Sequence, residues 1–158
     1  MKLNTFTDFG LRILMYLAAR PGHLAARPGH LASVKEISDH FGISRHHLVK
    51  VALRLTQLGH IISIRGKGGG IRLADSALSV CLGDLVNQLE PDMDLVECFD
   101  KATNTCRITA GCNLKHMLYD ARTAFLKELN QFTLKDAATP SPFHFDVPPL
   151  AMAGNEVT

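Results

Sequence analysis

Apolar positions recur at helical spacing near the start of the chain, where Phe9, Ile13, Leu14, Leu17 and Ala18 fall on one side of a helix beginning near Thr7. Thr5 or Thr7 is the expected N-cap, and Asp8 sits in the first turn, where the helix dipole favours an acid. An exact tandem repeat follows, LAARPGH at 17–23 and again at 24–30, each copy ending in a Pro-Gly turn signal. One copy ends the helix. Two copies this short cannot stack as a solenoid, so the second reads as a loop insertion of small thermodynamic consequence and no functional content.

The next segment, SVKEISDHFGISRHHLVKVALRLTQLGHI, contains two helical patterns in succession. Ser33 and Glu36 form a capping box before a short helix with Val34, Ile37 and Phe41 on one side, and Gly42 breaks it. Ser44 is placed to cap a longer helix whose inward residues are Leu48, Val51, Leu55 and Leu58, and Gly59 is placed to end it. A short helix, a glycine turn and a longer basic helix make a helix-turn-helix. IISIR and GIRLA, joined by GKGGG, then predict a β-hairpin wing.

Further on, Leu82, Leu85, Val86 and Leu89 predict a helix ending at Glu90-Pro91, and residues 91–112 form a polar loop. From Asn113, the residues Leu114, Met117, Leu118, Ala121, Phe125, Leu129 and Phe132 predict a long helix of about five turns. One such helix cannot bury its stripe alone, so pairing with a second protomer, in a homodimer, is expected. The stretch from Thr139 holds four of the seven prolines without periodicity and reads as a disordered tail. The expected fold is mainly α with a small β-hairpin: a winged helix-turn-helix domain over 1–80, a thiol loop and dimerisation helix over 81–137, and the tail over 138–158.

Composition sharpens this picture. The 158 residues are 46% hydrophobic and 20% charged, enough for one real core and too few for a large multidomain enzyme. No apolar run approaches a membrane span of roughly 20 residues. Asp8 and Arg12 interrupt the pattern a secretory signal would need, so a cytoplasmic location is expected. The net charge of +2 hides a division: residues 1–74 carry eleven Lys/Arg against three Asp/Glu, whereas residues 75–158 carry six against twelve. Residues 40–74 hold Arg45, Lys50, Arg54, Arg65, Lys67 and Arg72 with no acid, plus His40, His46, His47 and His60.

A basic stripe is most often only a solvated face, so placement decides its meaning. The first turn of the second helix presents Ser44, Arg45, His46, His47 and Lys50, where a recognition helix meets base edges in the major groove of double-stranded DNA. On the wing, Arg65, Lys67 and Gly68 suit phosphate or minor-groove contact. The GKGGG string is not a nucleotide loop, because its glycines lead into a strand and lack the Gly-Lys-Ser/Thr order.

Cys98, Cys106 and Cys112 follow a C-x7-C-x5-C spacing. Structural zinc sites usually pair cysteines two to four residues apart, so zinc is disfavoured. Three loop thiols suit a [4Fe-4S] or [2Fe-2S] iron–sulfur cluster, yet by spacing alone reactive or incidental thiols weigh equally. Cys81, on an apolar helix face, reads as a small core residue.

Taken together, TDFGLRILMYLA, SRHHLVK, IRGKGGGIRL, LEPDMDLVECF and CRITAGCNLKHML resemble the NsrR family of nitric-oxide-sensing repressors, related to the IscR-like iron–sulfur regulators. The resemblance covers roughly residues 1–136. It implies dimers of winged helix-turn-helix subunits that bind palindromic operators, with Cys98, Cys106 and Cys112 as cluster ligands. IscR-like proteins place a histidine three residues after the last cysteine, where this chain has Lys115, with His116 one position late. NsrR-like proteins use an aspartate of the partner's first helix, which Asp8 matches; its plain alternative is a first-turn acid paired with Arg12 at i+4.

The resemblance therefore implies a homodimeric repressor released from operator DNA by nitric oxide, in which an intact cluster ties the 98–112 loop of one subunit to the first helix of the other. An IscR-like regulator answering iron–sulfur or redox status is the neighbouring alternative. A small electron-transfer protein would leave the acid-free stripe and the wing without purpose. An enzyme with a reactive cysteine finds no convincing Cys/His/Asp constellation here.

Overall fold

The computed structural model describes residues 2–19 and 31–139. The second LAARPGH copy and most of the tail therefore lie outside the described residues. Among the described residues six α-helices run in chain order: α1 Thr5–Ala18, α2 Val34–Phe41, α3 Arg45–Gln57, α4 Leu82–Leu89, α5 Asn113–Leu129 and α6 Leu134–Ala138, with strands β1 Ile61–Ile64 and β2 Gly70–Leu73 between α3 and α4. The mainly helical fold with a two-stranded hairpin is the one the sequence predicts.

The first helix begins earlier than its apolar pattern suggests. Asn4, not Thr5 or Thr7, is the N-cap, and its side-chain oxygen accepts the Phe6 N–H. Thr7 is instead fully buried inside the first turn, and its hydroxyl has no hydrogen-bond partner. The α2 capping box forms as predicted, with the Ser33 hydroxyl accepting from the Glu36 N–H and the Glu36 carboxylate accepting from the Ser33 N–H. Gly42 ends α2 in the left-handed conformation (φ 63°), and the Ile43 N–H reaches back to the Ser38 carbonyl. This closure turns the chain sharply into α3.

The core is one cluster to which the hairpin and every helix but α5 contribute: Ile13, Leu14 and Leu17 from α1, Ile37 from α2, Leu48, Val51 and Leu55 from α3, Ile61, Ile71 and Leu73 from the hairpin, Leu85 and Leu89 from α4, and Leu134 from α6. The hairpin is antiparallel, with Ile61 opposite Leu73 and Ile64 opposite Gly70. Ala32 extends it on the other side, exchanging both backbone hydrogen bonds with Ile71. Strand periodicity could not reveal this single bridge, since one residue has no period.

α5 differs from the other helices, for it has no buried residue. Its apolar stripe is half-buried at Leu118, Phe125, Leu126 and Leu129 and exposed at Leu114, Met117 and Tyr119. The helix ends at Leu129, and the chain turns through Asn130–Thr133 into α6, an element that the sequence pattern did not announce. Thr133 caps α6 in a second capping box with Asp136, and Leu134 is completely buried. Backbone bonds from Leu82 N–H to the Phe132 carbonyl and from Leu134 N–H to the Val80 carbonyl seat this turn against the start of α4.

The α4–α5 crossing is close at Gly83. A β-carbon there would lie 2.3 Å from the Leu126 carbonyl oxygen and 2.4 Å from Asn130 Oδ1. Backbone cannot yield cheaply, so Gly83→Ala is expected to lower stability by about 1–3 kcal/mol in urea unfolding. Gly111→Ala, which meets nothing within 4 Å, is expected to stay within about 0.5 kcal/mol of the parent. Equal midpoints for the two variants would contradict the crossing.

Candidate nucleic-acid interface and thiol loop

The inner stripe of α3 is locked in the core, so its other side must face outward. Ser44, Arg45, His46, His47 and Lys50 are all exposed in or beside its first turn. Ser44 occupies the N-cap position, but its hydroxyl makes no cap bond. Its carbonyl still accepts the His47 and Leu48 N–H groups. His47 stacks on Phe9 of α1, with ring centroids 6.4 Å apart at 29°, and His46 lies beside it at 6.1 Å.

At the wing tip, Lys67 is exposed between Gly66 (φ 101°) and Gly68 (φ 80°), conformations that side chains rarely adopt. The Gly69 N–H closes the tip onto the Gly66 carbonyl. Arg65 is exposed beside it.

Four cations have an acid partner among the described residues. Arg12, Lys35, Arg72 and Arg122 are held by Asp8, Asp39, Asp75 and Asp94 respectively. Arg45, Lys50, Arg65 and Lys67 have no ion-pair partner among the described residues, and all four are exposed. Arg72 thus braces the base of the wing and leaves the outward set. His60 leaves the stripe altogether: it is buried at the α3–β1 junction, where its Nε2 lies 2.7 Å from Gln88 Oε1. Composition could not separate the internal histidine from the surface ones.

All four cysteines are free thiols. Cys81 stands at the N-cap position of α4, half-buried, rather than on the helix's apolar face. Cys98 is buried in a short 3₁₀ turn, Glu97–Phe99. Cys106 and Cys112 are half-buried farther along the loop, flanking a second such turn at Thr109–Gly111. Three soft thiols on one loop fit an iron–sulfur cluster by donor type. Among the described residues, however, no three His, Cys, Asp or Glu side chains converge as a metal site. Asp8 is paired with Arg12 at 2.9 Å on the surface of α1, as the i+4 alternative anticipates.

A glycine-closed helix pair, an outward basic helix and a hairpin wing with unpaired cations define a winged helix-turn-helix regulator of transcription. Residues 3–140 match the Rrf2 family of iron-dependent transcriptional regulators, and the chain belongs to that family. It is 45% identical over 137 residues to the HTH-type transcriptional regulator NsrR of Bacillus subtilis (strain 168), covering 86% of this chain and 89% of that protein. To the NsrR of Shouchella clausii (strain KSM-K16) it is 44% identical over 136 residues, covering 86% and 87%. Among solved structures it is similar to CymR, the global cysteine regulator of B. subtilis, with a TM-score of 0.66 and 27% identity over 87% of this chain and 96% of that one. The named relatives are regulators of transcription, a role without catalysis. Among the described residues no helix is long and apolar enough to cross a membrane.

Within the loop, the Thr103 hydroxyl and the Ala102 N–H both donate to the Asp100 carboxylate, at 2.7 and 2.8 Å. These bonds, the hydroxyl's first, hold its pKa below that of an ordinary aspartate. The turn's contribution is therefore complete above the ordinary aspartate range and lost as pH falls through the lowered value. An NMR titration of the Asp100 carboxyl carbon is expected to show a depressed midpoint that Thr103→Val raises. An unshifted midpoint in the parent would remove the turn.

Proposed function

We propose that this protein is a homodimeric repressor that binds palindromic operator DNA under the control of an iron–sulfur cluster and releases it in response to nitric oxide. The observation that carries the DNA side is a set of exposed basic side chains in an acid-free stretch. Arg45, Lys50, Arg65 and Lys67 stand exposed without ion-pair partners on the recognition helix and wing, within a stretch, residues 40–74, that contains no Asp or Glu. Such residues are suited to base edges and phosphates. Ser44, His46, His47 and Gly68 complete the proposed contact set.

The sensing side rests on similarity to NsrR and on the loop thiols. Cys98, Cys106 and Cys112 would hold the cluster, and Asp8 of the partner subunit would supply the fourth ligand. When bound, the cluster supplies an iron centre that reacts with nitric oxide. The hard carboxylate of Asp8 binds such a centre weakly, which leaves that position open to a small ligand. With all four side chains engaged, the loop of one subunit is tied to α1 of the other. The half-exposed stripe of α5 supports dimerisation, since a second copy would cover it. Specific binding needs both recognition helices in register, so a bias of a few kcal/mol between two dimer geometries suffices to release DNA. The function would then divide along the chain, with residues 1–80 reading DNA and 81–137 sensing and pairing, in a cytoplasmic protein.

Arg45→Ala and Lys50→Ala are each expected to weaken operator binding by about 1–3 kcal/mol while leaving the cluster's absorbance intact. For Lys67→Ala the loss should be independent of sequence, with a salt slope shallower by about one. Unchanged affinity in gel-shift titrations for both helix variants would remove α3 as the reading element.

Anaerobic purification followed by visible spectroscopy tests the ligand set. Replacing Cys98, Cys106 or Cys112 by Ala is expected to abolish or severely destabilise the chromophore, and Cys81→Ala to leave it unchanged. If Asp8 serves only its exposed pair with Arg12, Asp8→Ala costs under about 1 kcal/mol and leaves the spectrum alone. As a ligand across the dimer, its loss alters absorption, air stability and the nitric oxide response of operator binding. A full cluster in Cys106→Ala would refute the three-thiolate set.

A further inference from the structure

The thiol loop is not uniformly held. From Asp100 to Cys112 the side-chain hydrogen bonds among the described residues stay inside the loop: Thr103 to Asp100, Thr105 to Glu97, and the cluster in which Asn104, Cys106 and Thr109 bond one another. The stretch from Met93 to Phe99 is different, because a side chain from another element grips it. Arg122 of α5 donates through Nη1 to Asp94 Oδ1 at 3.1 Å and to the Met93 carbonyl at 3.3 Å, bonds that span 28 and 29 residues. Its guanidinium also lies 5.0 Å from the Phe99 ring centre and 4.9 Å from that of Tyr119. Those two rings meet edge-on at 6.1 Å.

Arg122 thus engages a carboxylate, a carbonyl and two ring faces at once, and its side chain is only 21% exposed. A planar guanidinium can do all of this together, and an ammonium cannot. Phe99 directly follows Cys98, the one loop thiol that is buried. Cys98 is 8% exposed, whereas Cys106 and Cys112 remain half-buried.

We infer that Arg122 is the positioning residue of the thiol loop: it locks the Cys98 half onto α5 and leaves the Cys106–Cys112 half free to close upon it. This rests on the reading of the three thiols as one ligand set. The asymmetry gives the loop a fixed wall and a movable one. Assembly or release of a metal group then requires only the second half to move, while Cys98 stays seated.

The lock can be tested without iron. In the apoprotein, iodoacetamide labelling followed by peptide mass spectrometry is expected to modify Cys106 and Cys112 faster than Cys98, by roughly tenfold, since alkylation follows thiol access. Arg122→Met keeps an apolar stem between the rings but removes the fork. It should raise the Cys98 rate towards those of the other loop thiols and leave Cys81 unchanged. Arg122→Lys, which restores only the ion pair, should fall between. An unchanged Cys98 rate in Arg122→Met would overturn the lock, and so would a parallel rise at all four cysteines, which reports general loosening.

A second arm addresses the ligand set. After anaerobic reconstitution, Arg122→Met is expected to lose its visible absorbance to a chelator several-fold faster than the parent, with iron and sulfide content matched at the start. Equal loss rates would overturn the positioning role. If neither protein takes up iron and sulfide while the labelling pattern holds, the cluster reading fails and the lock stands.

Discussion

The rest of the molecule depends on how closely α1 crosses its neighbours at Gly10. A β-carbon at that position would lie 2.8 Å from Leu89 Cδ1 and 3.6 Å from Val51 Cγ1. Through this one small residue, α1 touches both the end of α4, from which the thiol loop departs, and the inner stripe of α3, whose outer side carries the exposed basic residues. A second tie lies beside it, the Asn4 N–H donating to the Glu90 carboxylate at 3.0 Å. The stem of the loop and the proposed reading head are therefore packed on the same helix. Close-packed interiors transmit shifts as discrete repackings rather than absorbing them. A change in the loop has a short path to α3 through α1, and the Phe9–His47 stack extends that path to the exposed turn.

Charge is distributed along the same lines as packing. Acids of α1, α2 and the wing base neutralise the cations beside them, and Asp94 neutralises Arg122. Exposed ion pairs of this kind contribute little to stability, of the order of 0–1 kcal/mol. The first turn of α3 and the wing tip lie instead in an acid-free stretch, residues 40–74, so their positive charge is locally uncompensated. An electrostatic surface for a polyanion is thus produced by where acids are absent, not by an excess of base over the whole chain, which carries a net +2.

The two ends of α5 are held in different ways. Its C-terminal end is fixed to the winged-helix body by Gly83, by the Asn130 side chain, which pairs with the backbone and carboxylate of Asp84, and by the buried Leu134 of α6. Toward its N-terminal end, Leu114 and Met117 are exposed, and the chief tie is Arg122 to the loop. Firm packing at one end and polar, partly wet contacts at the other place the lower local stability beside the thiols.

Local order was legible in the sequence wherever it depends on neighbours a few residues apart. The 3.6-residue period, the Ser33–Glu36 capping box, Gly42 and the glycine-rich tip between two β-type runs are all short-range signals, and the helices and hairpin formed where they indicated. The outward placement of Arg45, His46, His47 and Lys50 also followed, because a helix with Leu48, Val51 and Leu55 inside has only one other side. What only the tertiary structure decided involves partners distant in the chain. His60 went inward because Gln88, 28 residues on, offered a hydrogen bond. Asn4 displaced Thr5 and Thr7 as the cap because the helix start is fixed by Glu90 and the burial of Thr7 as well as by local preference. α6 formed because α1 and the turn at Ala77–Ser79 present an apolar seat for Leu134, and Arg122 became the loop's anchor because folding brought Asp94, Phe99 and Tyr119 around it. Periodicity records which side of an element is apolar; only the assembled chain determines what that side, or a lone polar residue, will meet.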